Sequence, residues 1–373
     1  MNPETWLEKN IIFEAIIGSQ AYGLSTPESD TDYRGVAISP PEYYLGLHNF
    51  EQKVSKEPDR TIFDIKKFTD LAIKGNPNIL EFFFISQDCL IYESEHWKAL
   101  KQFRSMFLTK KVKHTYTGYA YSQLKRVKSH RHWLLNPILE KPTRAAYGLP
   151  DPSSMSKELM GSIEHVIKES LKFSINEVLA ETADEITKSV FRNYFEFDIR
   201  EVLEDAFSDF VFPVVANNLN NMLDVVVAVG EDHFKSDVMV VFAKEKTYAA
   251  AMSNWKQYQE WMEKRNPKRA ELEAKFGYDS KHMSHVFRLL LQGEEILRDG
   301  TLSVRLKPED REFVFDVKNG KYKYEELMGI CDQYMLRFED LYKVSTLPHS
   351  ANFEKINGIL VNTIKDFWES QNV

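Results

Sequence analysis

Cysteine is nearly absent. Cys89 and Cys331 are the two in 373 residues, and their wide separation gives neither a disulfide framework nor a zinc-ligand spacing. That usage suits a reducing cytosol. Long apolar runs are missing as well: none reaches the roughly 18 residues needed to span a bilayer. The first residues, Met1-Asn2-Pro3-Glu4-Thr5-Trp6, lack the basic and apolar stretches of a secretory leader. A cytoplasmic protein with no membrane partner is expected. There is no internal repeat and no low-complexity tract. A surplus of positive charge is lacking too. The net charge of −8 excludes a generic polyanion binder, so any nucleic-acid contact must come from a local basic face.

What is present suits an ordinary globular protein. Hydrophobic residues make up 43%, charged residues 28% and aromatics 13%, enough core for two or three domains. Ile11 to Ile17 and Val36-Ala37-Ile38 are short apolar runs bounded by Gly, Ser and Pro, and they read as buried strands. Between them lie Gly18-Ser19-Gln20-Ala21-Tyr22-Gly23-Leu24 and Ser29-Asp30-Thr31-Asp32-Tyr33-Arg34-Gly35. Strand side chains alternate between faces, so Asp30 and Asp32 on the second strand would point the same way, roughly 6.5–7 Å apart. Carboxylates so close repel unless a cation lies between them, and Mg²⁺ is held by one or two carboxylates plus substrate phosphates. A glycine lets backbone N–H groups approach a phosphate, and a serine hydroxyl adds a donor. Gly18-Ser19 with Asp30-x-Asp32 therefore predicts a metal–triphosphate site. Either pair alone would read as a solvated turn.

These residues resemble the signature of the nucleotidyltransferase superfamily that includes DNA polymerase beta. The fuller pattern, Gly18-Ser19-x-Ala21-Tyr22-Gly23 followed by Ser29-Asp30-x-Asp32-x-Arg34-Gly35, resembles one branch of it. That branch holds the predicted RNA-repair-associated nucleotidyltransferases of bacteria and large phages, which would place a phage-encoded chain in the host cytoplasm. The resemblance implies a third carboxylate on a neighbouring strand. Asp59 and Asp64 compete for it, at opposite ends of Asp59-Arg60-Thr61-Ile62-Phe63-Asp64. Asp59 is preferred, because Asp64 is sufficiently explained as the N-cap of a helix from Lys66 to Lys74. Lys67 and the run from Gly75-Asn76-Pro77-Asn78 to Glu81 also resemble the branch; Glu81 either holds the loop, reaches the site or caps a local turn.

From His96 to Leu139 there is no acid, while Lys110, Lys111, Lys113, His114, Lys125, Arg126, Lys128, His130, Arg131 and His132 alternate with Tyr116, Tyr119, Tyr121 and Trp133. Basic residues interleaved with aromatics suit a phosphate backbone and stacked bases. The plainer alternative is an amphipathic helix with a basic polar face. Residues 141–154 are rich in Pro, Gly and Ser and mark a boundary. Beyond it come many acids between Glu158 and Asp209, and helical periodicity at Ile163, Val166, Ile167 and Leu171. Leu223 to Gly230 reads equally as strand or buried helix. Trp255, Tyr258, Trp261 and Met262 share a helix face. Further on, Lys281, His285 and Arg288 stand at i, i+4 and i+7, and three cations on one face repel unless an anion relieves them. Gly277-Tyr278-Asp279-x-Lys281-His282…His285-x-x-Arg288-Leu289 also resembles the branch's C-terminal motif.

The expected fold is α+β: a polymerase-beta-like domain of mixed sheet and flanking helices over 1–140, a mainly helical insertion over 141–250, and a helical C-terminal domain over 251–373. The expected reaction is nucleotidyl transfer with release of pyrophosphate. Asp30, Asp32 and Asp59 (or Asp64) would hold Mg²⁺ or Mn²⁺, Gly18 and Ser19 would grip the phosphates, and Arg34, Lys281, His285 and Arg288 would offset the triphosphate charge. The implied acceptor is tRNA or another RNA end, met by Lys125, Arg126 and Lys128. The alternatives are nucleotidylation of a protein or small molecule, as in a toxin–antitoxin pair, and a catalytically silent nucleotide-binding module.

Overall fold

The computed structural model describes residues 5–27, 29–182, 228–265 and 267–371. The chain forms two compact units, one of Met1–Pro137 with Asn266–Val373, the other Ile138–Arg265. In the first unit the elements are β1 (Ile11–Ile17), β2 (Asp32–Ala37), α1 (Pro41–Leu45), β3 (Gln52–Lys56), β4 (Asp59–Asp64), α2 (Ile65–Ile73), α3 (Pro77–Leu80), β5 (Leu90–Glu93), α4 (Glu95–Lys101) and α5 (Val112–Leu135). The second unit contains α6 (Lys157–Thr182) and α7 (Ser236–Lys264). The first then resumes with α8 (Pro267–Phe276), α9 (Ser280–Asp299), α10 (Pro308–Lys318), α11 (Tyr324–Val344) and α12 (Phe353–Ser370).

The five strands form a mixed sheet in the order β3-β4-β2-β1-β5. β2 and β4 run parallel, and the other neighbours are antiparallel. The expected α+β architecture, a mixed sheet with helices followed by a mostly helical region, is what the chain adopts. The apolar side chains of β1 enter an aromatic core. Phe13 stacks on Trp97 at 4.3 Å, Trp97 on Phe83 at 5.3 Å, and Phe83 on Phe107 at 4.8 Å between ring centroids. The same core takes in Tyr116 and Ala120 of α5 and Val286, Phe287 and Leu290 of α9. Gly293 makes the helix packing possible, since a Cβ there would lie 2.8 Å from Phe338 and 2.9 Å from Tyr116.

Helix starts follow the local chemistry. Asp64 caps α2 by accepting from the Lys66 amide, and Asp279 caps α9 by accepting from the His282 amide at 2.9 Å. Asn78 to Phe84 is buried at Ile79, Leu80, Phe82 and Phe83, as its apolar character predicts, but as helical turns.

The second unit has its own small core of Met155, Ile163, Ile167, Met239 and Phe242. Arg144 holds Glu245 through two contacts of 2.5 and 3.0 Å. The stretch 251–264, assigned from the sequence to a C-terminal domain, belongs to α7 of this unit. On α7, Tyr258 is buried and Met262 exposed, so they do not share one buried face. The acids from Asp184 to Asp209 and the run Leu223 to Val227 lie outside the described residues. None of the described helices is long and apolar enough to cross a membrane.

Candidate functional site

The sheet end where β1 hands over to β2 collects the carboxylates. β1 stops at Ile17, and Gly18 turns the chain with φ +71. The Leu24 amide donates to the Ser19 carbonyl at 2.8 Å, closing a compact loop, and Gln20 reaches Thr31 at 2.8 Å just ahead of β2. Ile17 faces Asp32 across the antiparallel pair. A Cβ on Gly18 would stand 2.7 Å from the Asp32 Oδ2, so this glycine serves first as room for a carboxylate. The parallel register of β2 with β4 sets Tyr33 opposite Arg60, which brings Asp32 and Asp59 to the same sheet end. Arg34 follows Asp32 on the same strand face, and its Nη1 reaches Asp59 Oδ1 at 2.9 Å.

Asp30 departs from expectation in one respect. The strand begins at Asp32, so Asp30 lies in the loop before it and is exposed. Its charge still bears on Asp32. Burial raises the Asp32 carboxyl above the ordinary value, and the neighbouring Asp59 and Asp30 charges push the same way against Arg34. Asp32 and Asp59 thus share one guanidinium, and the exposed Asp30 adds its charge to theirs. An all-oxygen donor set with surplus negative charge fits Mg²⁺ or Mn²⁺.

Asp64 sits elsewhere. It lies at the far end of β4, 3% exposed, accepting from Ser39 Oγ at 2.7 Å, Tyr44 Oη at 2.6 Å and the Lys66 amide at 2.8 Å. Its hydrogen bonds build the start of α2, and the structure does not bring it to Asp32.

Beside the carboxylates opens a cavity of about 380 Å³. Gly18 and Arg34, the residues that touch Asp32 and Asp59, line it together with Asn78, Tyr119, Gln123 and His285. α5 supplies Tyr119 and Gln123, and α9 supplies His285 and Arg288. Arg288 needs correction as a free cation. It is buried and ion-paired with Glu81, bonded to Gln292 at 2.8 Å, and stacked over the Tyr22 ring at 4.1 Å. The Tyr22 hydroxyl donates to the other Glu81 oxygen at 2.8 Å. Glu81 therefore holds the Gly18–Leu24 loop through Tyr22 and balances Arg288. Lys281 is exposed at the start of α9, and His285 is half-buried on the cavity wall. Sequence reasoning missed Lys318, whose Nζ donates to the Leu24 carbonyl at 2.9 Å and whose pKa is lowered by burial and by the Lys281 charge. It missed Tyr22 and Gln123 as well. Nothing local marks Lys318 or Gln123, and Tyr22, although it stands within the Gly18–Gly23 motif, meets Glu81 and Arg288 only across the fold.

The acid-free run takes in most of α4 and all of α5, but other helices bring acids to α5. Lys113 pairs with Glu339 at 2.6 Å and Arg131 with Glu325 at 3.0 Å. Tyr116 and Trp133 are buried and offer no stacking face. Lys125, Arg126 and Lys128 stay exposed on the helix.

Residues 3–136 match the family model described as RlaP, the RNA repair pathway DNA polymerase beta family. Over 344 residues the chain is 24% identical to the "Uncharacterized 38.9 kDa protein in nrdC-mobD intergenic region" of Enterobacteria phage T4, covering 86% of this chain and 88% of that protein. Over 89 residues it is 32% identical to "Uncharacterized protein YcgL" of Bacillus subtilis (strain 168), covering 22% of this chain and 33% of that protein. No solved structure matches the chain. The family match spans Gly18, Asp30, Asp32 and Asp59, so the superfamily resemblance is supported: the region of the chain that holds these residues is similar to an RNA repair pathway DNA polymerase beta family.

Proposed function

We propose that the first unit is a metal-dependent nucleotidyltransferase that moves an NMP from an NTP to the hydroxyl of an RNA end and releases pyrophosphate. One observation supports this reading: Asp32 and Asp59 lie together at the sheet end beside Gly18, with the Asp30 charge bearing on Asp32, next to a cavity roomy enough for a nucleoside. Asp30, Asp32 and Asp59 hold the divalent ion. When bound, Mg²⁺ or Mn²⁺ supplies charge stabilisation for the attacking oxygen and the leaving pyrophosphate. Asp59 accepts the proton of the acceptor hydroxyl. Gly18 and Ser19 present backbone and hydroxyl donors to the β- and γ-phosphates. Arg34, Lys281 and His285 offset the triphosphate charge, while Arg288, already balanced, fixes the loop. Tyr119, Gln123 and Asn78 give the cavity the mixed apolar and amide lining that a base recognises.

The test uses each α-labelled NTP with Mg²⁺ or Mn²⁺ and separate pools of tRNA, other RNA and lysate protein. Label on an RNA pool is expected. Label on protein alone would overturn the acceptor assignment, and NTP binding with no product in any pool would point to a silent module. Substituting Lys125, Arg126 and Lys128 by Gln should weaken RNA binding and flatten its salt dependence, by about 0.7 in log–log slope for each phosphate that the variant no longer neutralises. An enzyme for a small acceptor would be indifferent.

The two candidate carboxylates separate cleanly. Asp59→Asn should lose transfer while keeping its melting temperature. Asp64→Ala should do the reverse, losing the helix cap and stranding the Ser39 and Tyr44 hydroxyls at a cost of about 2 kcal/mol or more, with the folded fraction still active. Thermal melts paired with labelling distinguish them, and the opposite pattern would move the third carboxylate to Asp64.

A further inference from the structure

We propose that the first unit carries a second, structural metal site, in which zinc is held by His130, Glu273, Asp279 and His282. It is separate from the carboxylates at the sheet end and does not depend on the transfer reaction. The four side chains come from three helices. His130 lies near the end of α5, Glu273 on α8, Asp279 caps α9, and His282 is in the first turn of α9. The turn between α8 and α9 is fixed at Gly277, with φ +78, whose carbonyl accepts from Arg131 of α5 at 2.8 Å. That contact holds α5 against the turn and sets His130 over Asp279.

The spacing favours a metal over hydrogen bonding alone. One donor atom from each of His130, Asp279 and His282 lies within 4.8 Å of the others. His130 Nδ1 stands 3.6 Å from Asp279 Oδ2 and 3.6 Å from Glu273 Oε1, too far for good hydrogen bonds. Donors at about 2.0–2.1 Å from a tetrahedral zinc lie about 3.3–3.5 Å from one another. Those two edges are therefore nearly in place. The pair His282 Nδ1 and Asp279 Oδ2, at 2.6 Å, must open to admit an ion, and Glu273, which stands against His130 but outside that group of three, must close on it as the fourth donor. The carboxylates are each 3% exposed, and the imidazoles 18% and 15%, which suits a closed structural site rather than a catalytic one with an open position. Two imidazoles select a borderline ion such as zinc over magnesium. Two neutral imidazoles and two carboxylates carry a net double negative charge, which a divalent ion cancels. The competing account is a metal-free cluster in which protonated imidazoles balance the acids.

His282 precedes His285 by one turn, with ring centroids 6.5 Å apart. The metal would brace the helix end that presents His285 to the cavity, making the four ligands positioning residues there.

The experiment strips the full-length protein with chelator and titrates it with ZnCl₂ and CoCl₂. One Zn²⁺ per chain, a rise in melting temperature, and the intense visible absorption of tetrahedral Co²⁺ are expected. Asp32→Asn should retain that stoichiometry, separating this site from the proposed catalytic one. His130→Asn with His282→Asn should weaken zinc by more than about 100-fold, and Glu273→Gln, the gentler change, should weaken it with the fold intact by circular dichroism. No stoichiometric Zn²⁺ or Co²⁺ binding by the wild type, or undiminished binding by Glu273→Gln and the double variant, would overturn the site in favour of the metal-free cluster.

Discussion

Asp32→Asn should leave a folded chain that no longer transfers a nucleotide. Asparagine keeps the shape of the side chain and leaves the β1–β2 pairing of Ile17 with residue 32 untouched. It removes the charge, and with it half of the oxygen donors that residue 32 offers a divalent ion. Removing a single electrostatic donor from an active site typically costs about 10²–10³ in kcat. A metal-bearing carboxylate should cost at least that, because the ion itself is loosened. Stability should move the other way or not at all. Burial and the charges of Asp59 and Asp30 already disfavour ionised Asp32, so its neutral substitute relieves repulsion. Single-turnover labelling and a thermal melt on the same preparation separate the two effects. Transfer within tenfold of wild type would remove Asp32 from the chemistry, whatever the melt shows.

The sequence is most informative where the chain is local. The apolar runs around Gly18 and Val36 form paired strands, and the Gly-Ser turn between them forms as expected, because strand, turn and loop signals sit within about two dozen residues and each states its own conformation. Register across the sheet is another matter. The parallel pairing of β2 with β4 is what shows that Asp59 lies beside Asp32 and that Asp64 lies at the other end. No period along the sequence encodes that pairing. The same holds for charge. The run from His96 to Leu139 lacks acids in sequence but meets Glu339 and Glu325 in space. A helical wheel correctly puts Lys281, His285 and Arg288 on one side of α9, yet their environments differ: exposed, half-buried and buried. Lys281 and Lys318 are near enough for the one charge to depress the other, whereas Arg288 is already balanced by Glu81.

The Glu81–Arg288 pair should prove the most sensitive point in the fold. Glu81 is 1% exposed and Arg288 4%, and they belong to distant parts of the chain, one just after α3 and one in α9. Burial pushes the Glu81 carboxyl up, with Arg288 and Tyr22 pulling it back, so the carboxylate is tolerable only because the guanidinium lies against it. Glu81→Gln keeps the volume and removes that compensation, leaving Arg288 charged and buried. Breaking one side of such a pair costs about 3–5 kcal/mol, on the order of 10 °C in melting temperature for a unit of this size. Replacing both residues with Met should recover most of the loss, since no buried charge then remains. The recovered protein should still be impaired in binding NTP. Tyr22 would have lost both its hydrogen-bond acceptor and the cation over its ring, and these tie the Gly18–Leu24 loop to α9. A single variant that melts within about a degree of wild type would mean that water reaches the pair, and the loop would then need another anchor. A stable double variant with normal NTP affinity would show that the pair supports the fold alone and has no part in setting the loop.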